Sequence, residues 1–294
     1  MRISPLAALI GSLVACGGDG ASAPGEADGG GWTGASLAGP CPLGARLGGF
    51  LVESGGVAPV VAGAVREAVL PLEVLDESMA DGPCRLLTRP QPFCDPACGD
   101  DDVCALDDSC VPYPLEQPLG TVGVMGLAAP VTMTADGSNH YTAAGVAEPL
   151  FADGALVSLE AEGGPTIAGF RLRGVGGPPL ALGTDRWVLA SGQPLEIAWT
   201  PSGRGDLTVH VSMSVDQHGL TPSLLECDAA DVGTLVVPAA MIDALLALGQ
   251  SGIPSARVQR RTVDSIDVDP GCVDLVVAAT VPSNELSVEV VRAR

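Results

Sequence analysis

Cysteines are the residues whose spacing in this sequence points most directly to a chemistry. Five of them lie between residues 84 and 110 in the pattern C-x9-C-x3-C-x5-C-x5-C, and three more lie at Cys41, Cys227 and Cys272. The segment 84–110 has few apolar residues, so burial alone cannot hold it and cross-links must do so. Zinc sites favour C-x2-C pairs, which this pattern lacks. These cysteines are therefore predicted to form disulfides.

The spacing leaves most of the pairing open. Cys227 and Cys272 are the cysteines that follow residue 110, and both fall in one predicted β-domain, so the sequence predicts that they pair with each other. The remaining six would then pair among themselves, and six cysteines allow about 15 connectivities. These six are Cys41, Cys84, Cys94, Cys98, Cys104 and Cys110.

Acidic residues within the cysteine-rich segment suggest one cation site. Asp100, Asp102 and Asp107 lie in a loop without basic residues, and calcium takes six to eight oxygen ligands. The loop departs from the D-x-D-x-D-G-x5-E pattern, however, and a solvated acidic loop is the favoured interpretation. Calcium through these three aspartates stays a secondary hypothesis, and no other cofactor is predicted.

Three histidines could serve nucleophilic catalysis. His210 is predicted on the exposed polar face of a strand, His218 in a turn and His140 in a loop. The sequence contains neither G-x-S-x-G nor H-E-x-x-H, although catalytic triads also assemble from residues that are distant in sequence. A hydrolase built from scattered His, Ser and Asp residues is therefore kept as the alternative to a non-catalytic protein.

The elements that must position these residues are mostly strands. Apolar and polar residues alternate over 207–215, 195–200 and 286–290, which predicts half-buried strands and places Trp199 in the core. Pro238 to Leu248 carries an apolar stripe ended by Gly249 and is predicted to be a helix. The sequence thus predicts an antiparallel β-sandwich over 119–294 with one short helix, preceded by a small β and cysteine-rich region over 41–118.

The first residues carry the one family resemblance. An apolar run, Ile3–Val14, follows Arg2 and ends in Leu13-Val14-Ala15-Cys16, which resembles the lipobox of bacterial lipoproteins. The resemblance implies that the signal peptide 1–15 is removed and that Cys16 receives a diacylglyceryl group and an acyl chain such as palmitate. After Cys16, the segment 16–40 is rich in Gly, Ala and Ser with almost nothing to bury, and it is predicted to be a flexible tether. Gly17, in place of an aspartate, implies the outer membrane. The remainder resembles uncharacterised surface lipoproteins of high-GC Gram-negative bacteria, a resemblance that implies no activity.

Charge narrows the choice of partners. The chain has 14 basic residues, all arginine, against 35 acidic ones, for a net charge of −21. Such a surface repels nucleic acid and anionic lipid, and it favours basic or neutral partners. The sequence therefore predicts a lipid-anchored envelope protein that contacts the membrane through its anchor. Its predicted role is non-catalytic, as a structural module or a module that binds a protein or polysaccharide.

Overall fold

Strands are the main regular secondary structure of the computed structural model, which describes residues 37–215, 223–249, 253–282 and 286–291. Within these ranges the chain forms nineteen strands and one α-helix, α1 (Ala239–Ala247). The strands are β1 (Arg46–Gly55), β2 (Val60–Val65), β3 (Asp76–Asp81), β4 (Cys84–Thr88), β5 (Asp102–Cys104), β6 (Cys110–Pro112), β7 (Val122–Met125), β8 (Val131–Met133), β9 (Tyr141–Thr142), β10 (Leu156–Gly163), β11 (Ala168–Val175), β12 (Arg186–Ala190), β13 (Leu195–Ala198), β14 (Thr208–Ser214), β15 (Ser223–Ala230), β16 (Thr234–Val237), β17 (Ser255–Val268), β18 (Gly271–Thr280) and β19 (Ser287–Val291).

One nine-stranded sheet organises the chain. Its order is β3-β4-β15-β14-β17-β18-β1-β2-β9, and a four-stranded sheet has the order β11-β10-β7-β8. Three two-stranded sheets pair β12 with β19, β13 with β16, and β5 with β6. The mainly β sandwich with one short helix is confirmed. Its pairing is mixed, because β1 runs parallel to β18 and β12 runs parallel to β19.

One face of the nine-stranded sheet buries both hydrophobic cores. Residues directly opposite each other in a ladder lie on the same face of the sheet. According to the pairing of β18, β17, β14 and β15, Val277 and Cys227 therefore lie on one and the same face. In the first core, Phe50 and Leu275 cluster with Leu159 of the four-stranded sheet. The second core covers the other half of the same face and is formed with side chains of β12, β13 and α1.

The predicted helix and the predicted core tryptophan are confirmed. Pro238 occupies the N-cap position of α1, and Gly249, with φ +93°, follows its last turn. Met241, Ile242 and Leu245 are fully buried against the second core, and Trp199 is buried in the same cluster. The apolar stripe therefore attaches α1 to the sandwich.

A charged residue also lies on the buried face. Arg260 of β17 is directly opposite Val209 and Ala279, and its side chain is 1% exposed. Its Nε donates to Oδ2 of Asp231 at 2.8 Å and its Nη2 to Oδ1 of Asp231 at 3.2 Å. The other contacts of the guanidinium are carbonyl oxygens: Nη1 donates to Pro178 at 3.0 Å and Pro179 at 3.1 Å, and Nη2 to Thr200 at 2.6 Å. This guanidinium joins the segments around Pro178, Thr200 and Asp231 to β17.

The predicted Cys227–Cys272 disulfide is wrong. Cys227 is bonded to Cys84, because the antiparallel register of β4 and β15 places these two residues directly opposite each other. Cys272 is bonded to Cys41, because β1 follows Cys41 and lies parallel beside β18, which begins near Cys272. The other two disulfides join residues of the cysteine-rich segment: Cys94–Cys104 and Cys98–Cys110.

The boundary predicted at residues 118/119 does not divide two folded bodies. Strands β1 to β4 from the first predicted region pair in one sheet with β14, β15, β17 and β18 from the second. The end of the predicted tether also contacts this body, since the amide of Ala38 donates to Oδ1 of Asp264 at 3.0 Å. The signal peptide and Cys16 lie outside the described residues. Within the described ranges, no helix combines the length and apolarity needed to cross a bilayer.

Candidate binding groove

The second face of the nine-stranded sheet carries polar side chains and a long groove. Because side chains alternate along a strand, Arg257, Gln259 and Arg261 of β17 lie on this face, whereas Arg260 lies on the core side. The register extends the face to His210 of β14 on one side and to Leu51 of β1 on the other. A groove of about 650 Å³ crosses it from β9 to β14.

Small and aliphatic residues of β1 and β2 line the middle of the groove. Ala62 and Ala64 are opposite Leu51 and Gly49 in the register of the two strands. Gly49 is required there, because a Cβ atom at this position would lie 2.5 Å from the carbonyl oxygen of Asp274. The groove therefore has a shallow apolar floor with polar side chains around it.

Four arginines line the groove, Arg46, Arg66, Arg257 and Arg261, and each is paired with a carboxylate. The Nε of Arg46 lies 2.9 Å from Oδ2 of Asp274, and Arg257 is paired with Glu53. The carboxylates of these two pairs are 5% and 7% exposed, whereas Arg46 and Arg257 are 53% and 47% exposed. The cationic partner of each pair therefore faces solvent in the groove, and the anionic partner lies beneath it.

The other two arginines are more enclosed. Arg66 Nη1 lies 2.9 Å from Glu73 and its Nη2 lies 3.6 Å from Glu116. Arg261 Nη2 donates to Oδ1 of Asp228 at 2.8 Å, while its Nε is buried and has no hydrogen-bond partner among the residues that the structure describes. An unsatisfied donor of this kind marks a place where a ligand atom or water can bind.

His210 is buried, which corrects the prediction of an exposed strand residue. Its side chain is 6% exposed, and its Nδ1 lies 3.1 Å from Oδ1 of Asp228. Burial raises the pKa of Asp228, but the hydrogen bond with His210 and the charge of Arg261 outweigh it and lower the pKa from 3.8 to about 2. Asp228 is therefore a carboxylate near neutral pH, and its position orients the imidazole.

The His210–Asp228 pair has two elements of a catalytic triad but differs at the third position. His210 Nε2, the atom that would activate a nucleophile, lies 3.9 Å from Oε1 of Glu226. Ser212, two residues along the same strand, lies directly opposite Glu226 in the ladder. A triad requires the second ring nitrogen to reach the nucleophile, and here that nitrogen faces a second carboxylate.

His140 is not assembled with this pair. His140 also lines the groove, but its Nε2 lies 2.8 Å from Oε2 of Glu116 and its side chain is 53% exposed. His218 lies outside the described residues. The hydrolase interpretation therefore rests on His210 and Asp228.

A smaller cavity of about 260 Å³ adjoins the groove and shares Arg46, Arg261 and Val276 with it. The connection between β2 and β3 contributes Val74 and Leu75 to its lining, and the sheet contributes Leu87. Val74 and Leu87 are 7% and 1% exposed. The connection therefore packs on this face of the sheet and encloses one end of the groove.

The aspartates of the cysteine-rich segment are not gathered into a cation site. The clusters of possible metal-ligating atoms in the described residues contain none of Asp100, Asp102 and Asp107. Asp107 instead accepts hydrogen bonds from the amide and hydroxyl of Ser109, and these bonds lower its pKa. Such an arrangement is a local turn.

Comparisons with known proteins add no function. No protein-family model matches the chain, and no curated protein matches it. Among solved structures, the FN1–FN3 domains of chicken CNTN1 match at 10% identity and a TM-score of 0.18, over 81% of this chain and 67% of that one. A TM-score this low supports no argument, and the fold description rests on the sheets themselves.

Sequence reasoning missed the groove, although part of its signal was present. Arg257, Gln259 and Arg261 alternate with Val258 and other core residues, a pattern that indicates one polar face of a strand. It does not indicate that the polar faces of β14, β17 and β1 lie side by side. Only the non-local strand order brings them together.

Proposed function

We propose that this protein is a lipid-anchored envelope protein that binds a ligand non-catalytically in the groove on the polar face of the nine-stranded sheet. The groove itself is the observation that carries the proposal. Ligand sites are concave, with an apolar surface and a few convergent polar groups, and the floor and arginines described above have this character. The disulfides support an oxidising compartment outside the cytosol.

Cys16 is proposed as the attachment to the outer membrane. One acyl chain gives marginal membrane binding, but two or more hold a protein stably. We expect the wild-type protein to fractionate with membranes and to show the mass of a lipidated chain. A Cys16→Ser variant is expected in the soluble fraction without that added mass. Equal membrane retention of the two, with an unmodified mass, would reject the anchor.

The role of the groove is tested by filling it. Ala62→Trp adds a large side chain to the groove floor, and Val236→Trp adds the same side chain at a half-exposed position of β16. Both variants, confirmed as folded by circular dichroism, are introduced into a deletion strain that shows a phenotype. Only Ala62→Trp is expected to fail to restore the wild-type phenotype. Full rescue by Ala62→Trp would contradict the proposal.

The hydrolase alternative has its own variant in the same strain. His210→Asn keeps a side chain of similar polarity but removes the base. His210 also lines the groove, so a binding module predicts that the variant fails only if it loses binding. If a folded His210→Asn variant binds the groove ligand as the wild type does but behaves like the deletion, the His210–Asp228 pair is catalytic and the non-catalytic proposal is wrong.

A further inference from the structure

We propose that the ligand of the groove is an acidic polysaccharide, a polymer of uronic acid units. This inference rests on the proposed function and adds the chemical class of the ligand. It follows from the balance of donors and acceptors in the groove lining, from the orientation of the arginine pairs, and from the burial of the aromatic rings.

Donors dominate the lining. A guanidinium carries five N–H donors and no acceptor, and Arg46 and Arg257 each turn a half-exposed side chain into the groove. Arg261 adds a buried Nε that has no hydrogen-bond partner in the described part of the chain. Glu116 is the carboxylate in the lining, and it is already paired with Arg66 and His140. A ligand that matches this lining must be rich in acceptors.

The arginines are held in place before any ligand arrives. Asp274 and Glu53 lie on the groove face of the sheet, are nearly buried, and fix Arg46 and Arg257 through ion pairs. A guanidinium whose position is already fixed loses less conformational entropy when it binds a carboxylate in a bidentate manner. This arrangement favours charged carboxylate groups over single neutral hydroxyls.

The excess of hydrogen-bond donors over acceptors in the groove lining also disfavours an acidic peptide as the ligand. Every peptide unit brings an N–H donor, which would find few acceptors in this lining and would lose a hydrogen bond on burial. Sugar hydroxyls act as donors and acceptors, so they can adapt to a donor-rich surface. Neutral polysaccharides are also disfavoured, because Phe50 and Tyr141, the aromatic residues of the lining, are 3% and 1% exposed and offer no stacking surface.

The net charge of −21 predicted basic or neutral partners, whereas the groove lining holds four arginines and one carboxylate, Glu116. The carboxylates that pair with Arg46 and Arg257 are nearly buried and lie outside this lining. At physiological salt, interactions between exposed charges are screened beyond about 8 Å. A carboxylate in the groove therefore interacts mainly with the nearby guanidinium groups. Binding is expected to weaken as the salt concentration rises, because the remaining attraction is between partly exposed charges.

Oligogalacturonate of defined length tests the inference, with its fully methyl-esterified form as the neutral ligand of the same backbone. Calorimetric titrations use the full-length protein in detergent, at low and high salt. We expect binding of oligogalacturonate, at least tenfold weaker binding of the ester, and weaker binding at high salt. Equal binding of the ester, or no binding of oligogalacturonate, would overturn the inference.

Variants locate the binding. Arg257→Gln and Arg46→Gln, two separate variants in case one does not fold, are each expected to weaken oligogalacturonate binding at least tenfold. Arg186→Gln is the matched control, since Arg186 is also paired with a glutamate but is 67% exposed on β12, away from the groove. An equal loss in the Arg186→Gln control would show that overall charge, and not the groove, is responsible.

A poly-glutamate peptide of similar length completes the experiment. If it binds as tightly as oligogalacturonate, the polysaccharide assignment is wrong. If no acidic polymer binds while Ala62→Trp still abolishes the function in the cell, the groove remains the site and only the ligand class fails. If Ala62→Trp has no effect either, the proposed function fails with it.

Discussion

Replacing Arg260 with methionine is expected to cost more stability than any exposed substitution in the chain. Arg260 and Asp231 are 1% and 0% exposed, and methionine preserves most of the apolar volume while removing the charge. The carboxylate would keep its bonds from the indole of Trp199 and from Ser202 but would lose the two from the guanidinium. It would then be a buried charge without a counterion.

Breaking a buried ion pair by removing one partner costs about 3–5 kcal/mol. For a protein of this size, about 1 kcal/mol corresponds to a shift of roughly 2–4 °C in Tm, so the expected fall is on the order of 6–20 °C. An exposed pair contributes at most about 1 kcal/mol. Arg186→Met, which removes a 67% exposed arginine paired with Glu289, is therefore the control and should leave the Tm nearly unchanged.

Thermal unfolding gives the Tm, and urea unfolding at several pH values gives the free energy of unfolding. Both are followed by circular dichroism with the disulfides intact. Burial raises the pKa of Asp231, but hydrogen bonds from Arg260, Ser202 and Trp199 outweigh it and lower the pKa below 3.8. In the wild type, this contribution to stability is present above pH 3.8 and is lost as the pH falls through the lowered pKa. In Arg260→Met the guanidinium that pairs with Asp231 is absent. The difference in the free energy of unfolding between wild type and variant should therefore shrink below about pH 4, as Asp231 is protonated.

The double variant Arg260→Met/Asp231→Asn removes the unpaired charge, keeps an amide oxygen as an acceptor for Trp199 or Ser202, and should be more stable than Arg260→Met. It should not return to the wild-type value, because the carbonyl oxygens of Pro178, Pro179 and Thr200 lose their donor. A loss below about 1 kcal/mol in the single variant would refute the reasoning, since that is the size of a solvent-exposed pair. A double variant less stable than the single one would refute it as well.

Two further predictions concern the disulfides and the groove. Cys84→Ala/Cys227→Ala opens a cross-link with a sequence separation of 143 and should lower the free energy of unfolding by up to about 5 kcal/mol, measured in urea. In contrast, Cys94→Ala/Cys104→Ala opens a cross-link with a sequence separation of 10 and should leave the unfolding of the sandwich unchanged. If both double variants lost the same free energy of unfolding, the cysteine-rich segment would be shown to support the sheet. Asp228→Asn should lower stability at pH 6 but match the wild type near pH 2, because the stabilisation from its lowered pKa is present above 3.8 and is lost as the pH falls toward about 2. A difference that stays constant with pH, measured by urea midpoints, would contradict the assigned ion pair.

Local patterns predicted much of the fold. The alternation over 207–215 predicted β14, and the apolar stripe after Pro238 predicted α1. The burial of Trp199 was predicted because it lies on the same side of its strand as other apolar residues. These features depend on neighbouring residues and on a period of 2 or 3.6, which the sequence displays directly. The sequence therefore predicted which segments form strands and, for several of them, which side is buried.

The errors came from non-local pairing. Cys227 was matched with Cys272 because both follow residue 110, but disulfides depend on which strands are neighbours, and neither β4–β15 nor β1–β18 is visible in a local pattern. The predicted domain boundary failed for the same reason, because a cysteine-rich segment can be a long excursion between strands of one sheet. The buried position of Arg260 was also missed, since a charged residue gives no apolar signal.

The parallel pairing of β1 with β18 has a consequence for how the chain must mature. Cys41 and Cys84 emerge first during synthesis or transport, but their partners Cys272 and Cys227 emerge last. Until then, the cysteines available for pairing with them lie in residues 94–110. Disulfides formed in the order in which the cysteines emerge would therefore have the wrong connectivity. Disulfide rearrangement without a catalyst is slow and takes minutes to hours. Maturation of this protein in its compartment is therefore expected to depend on a disulfide isomerase, and a strain lacking one should accumulate oxidised but misbridged chains.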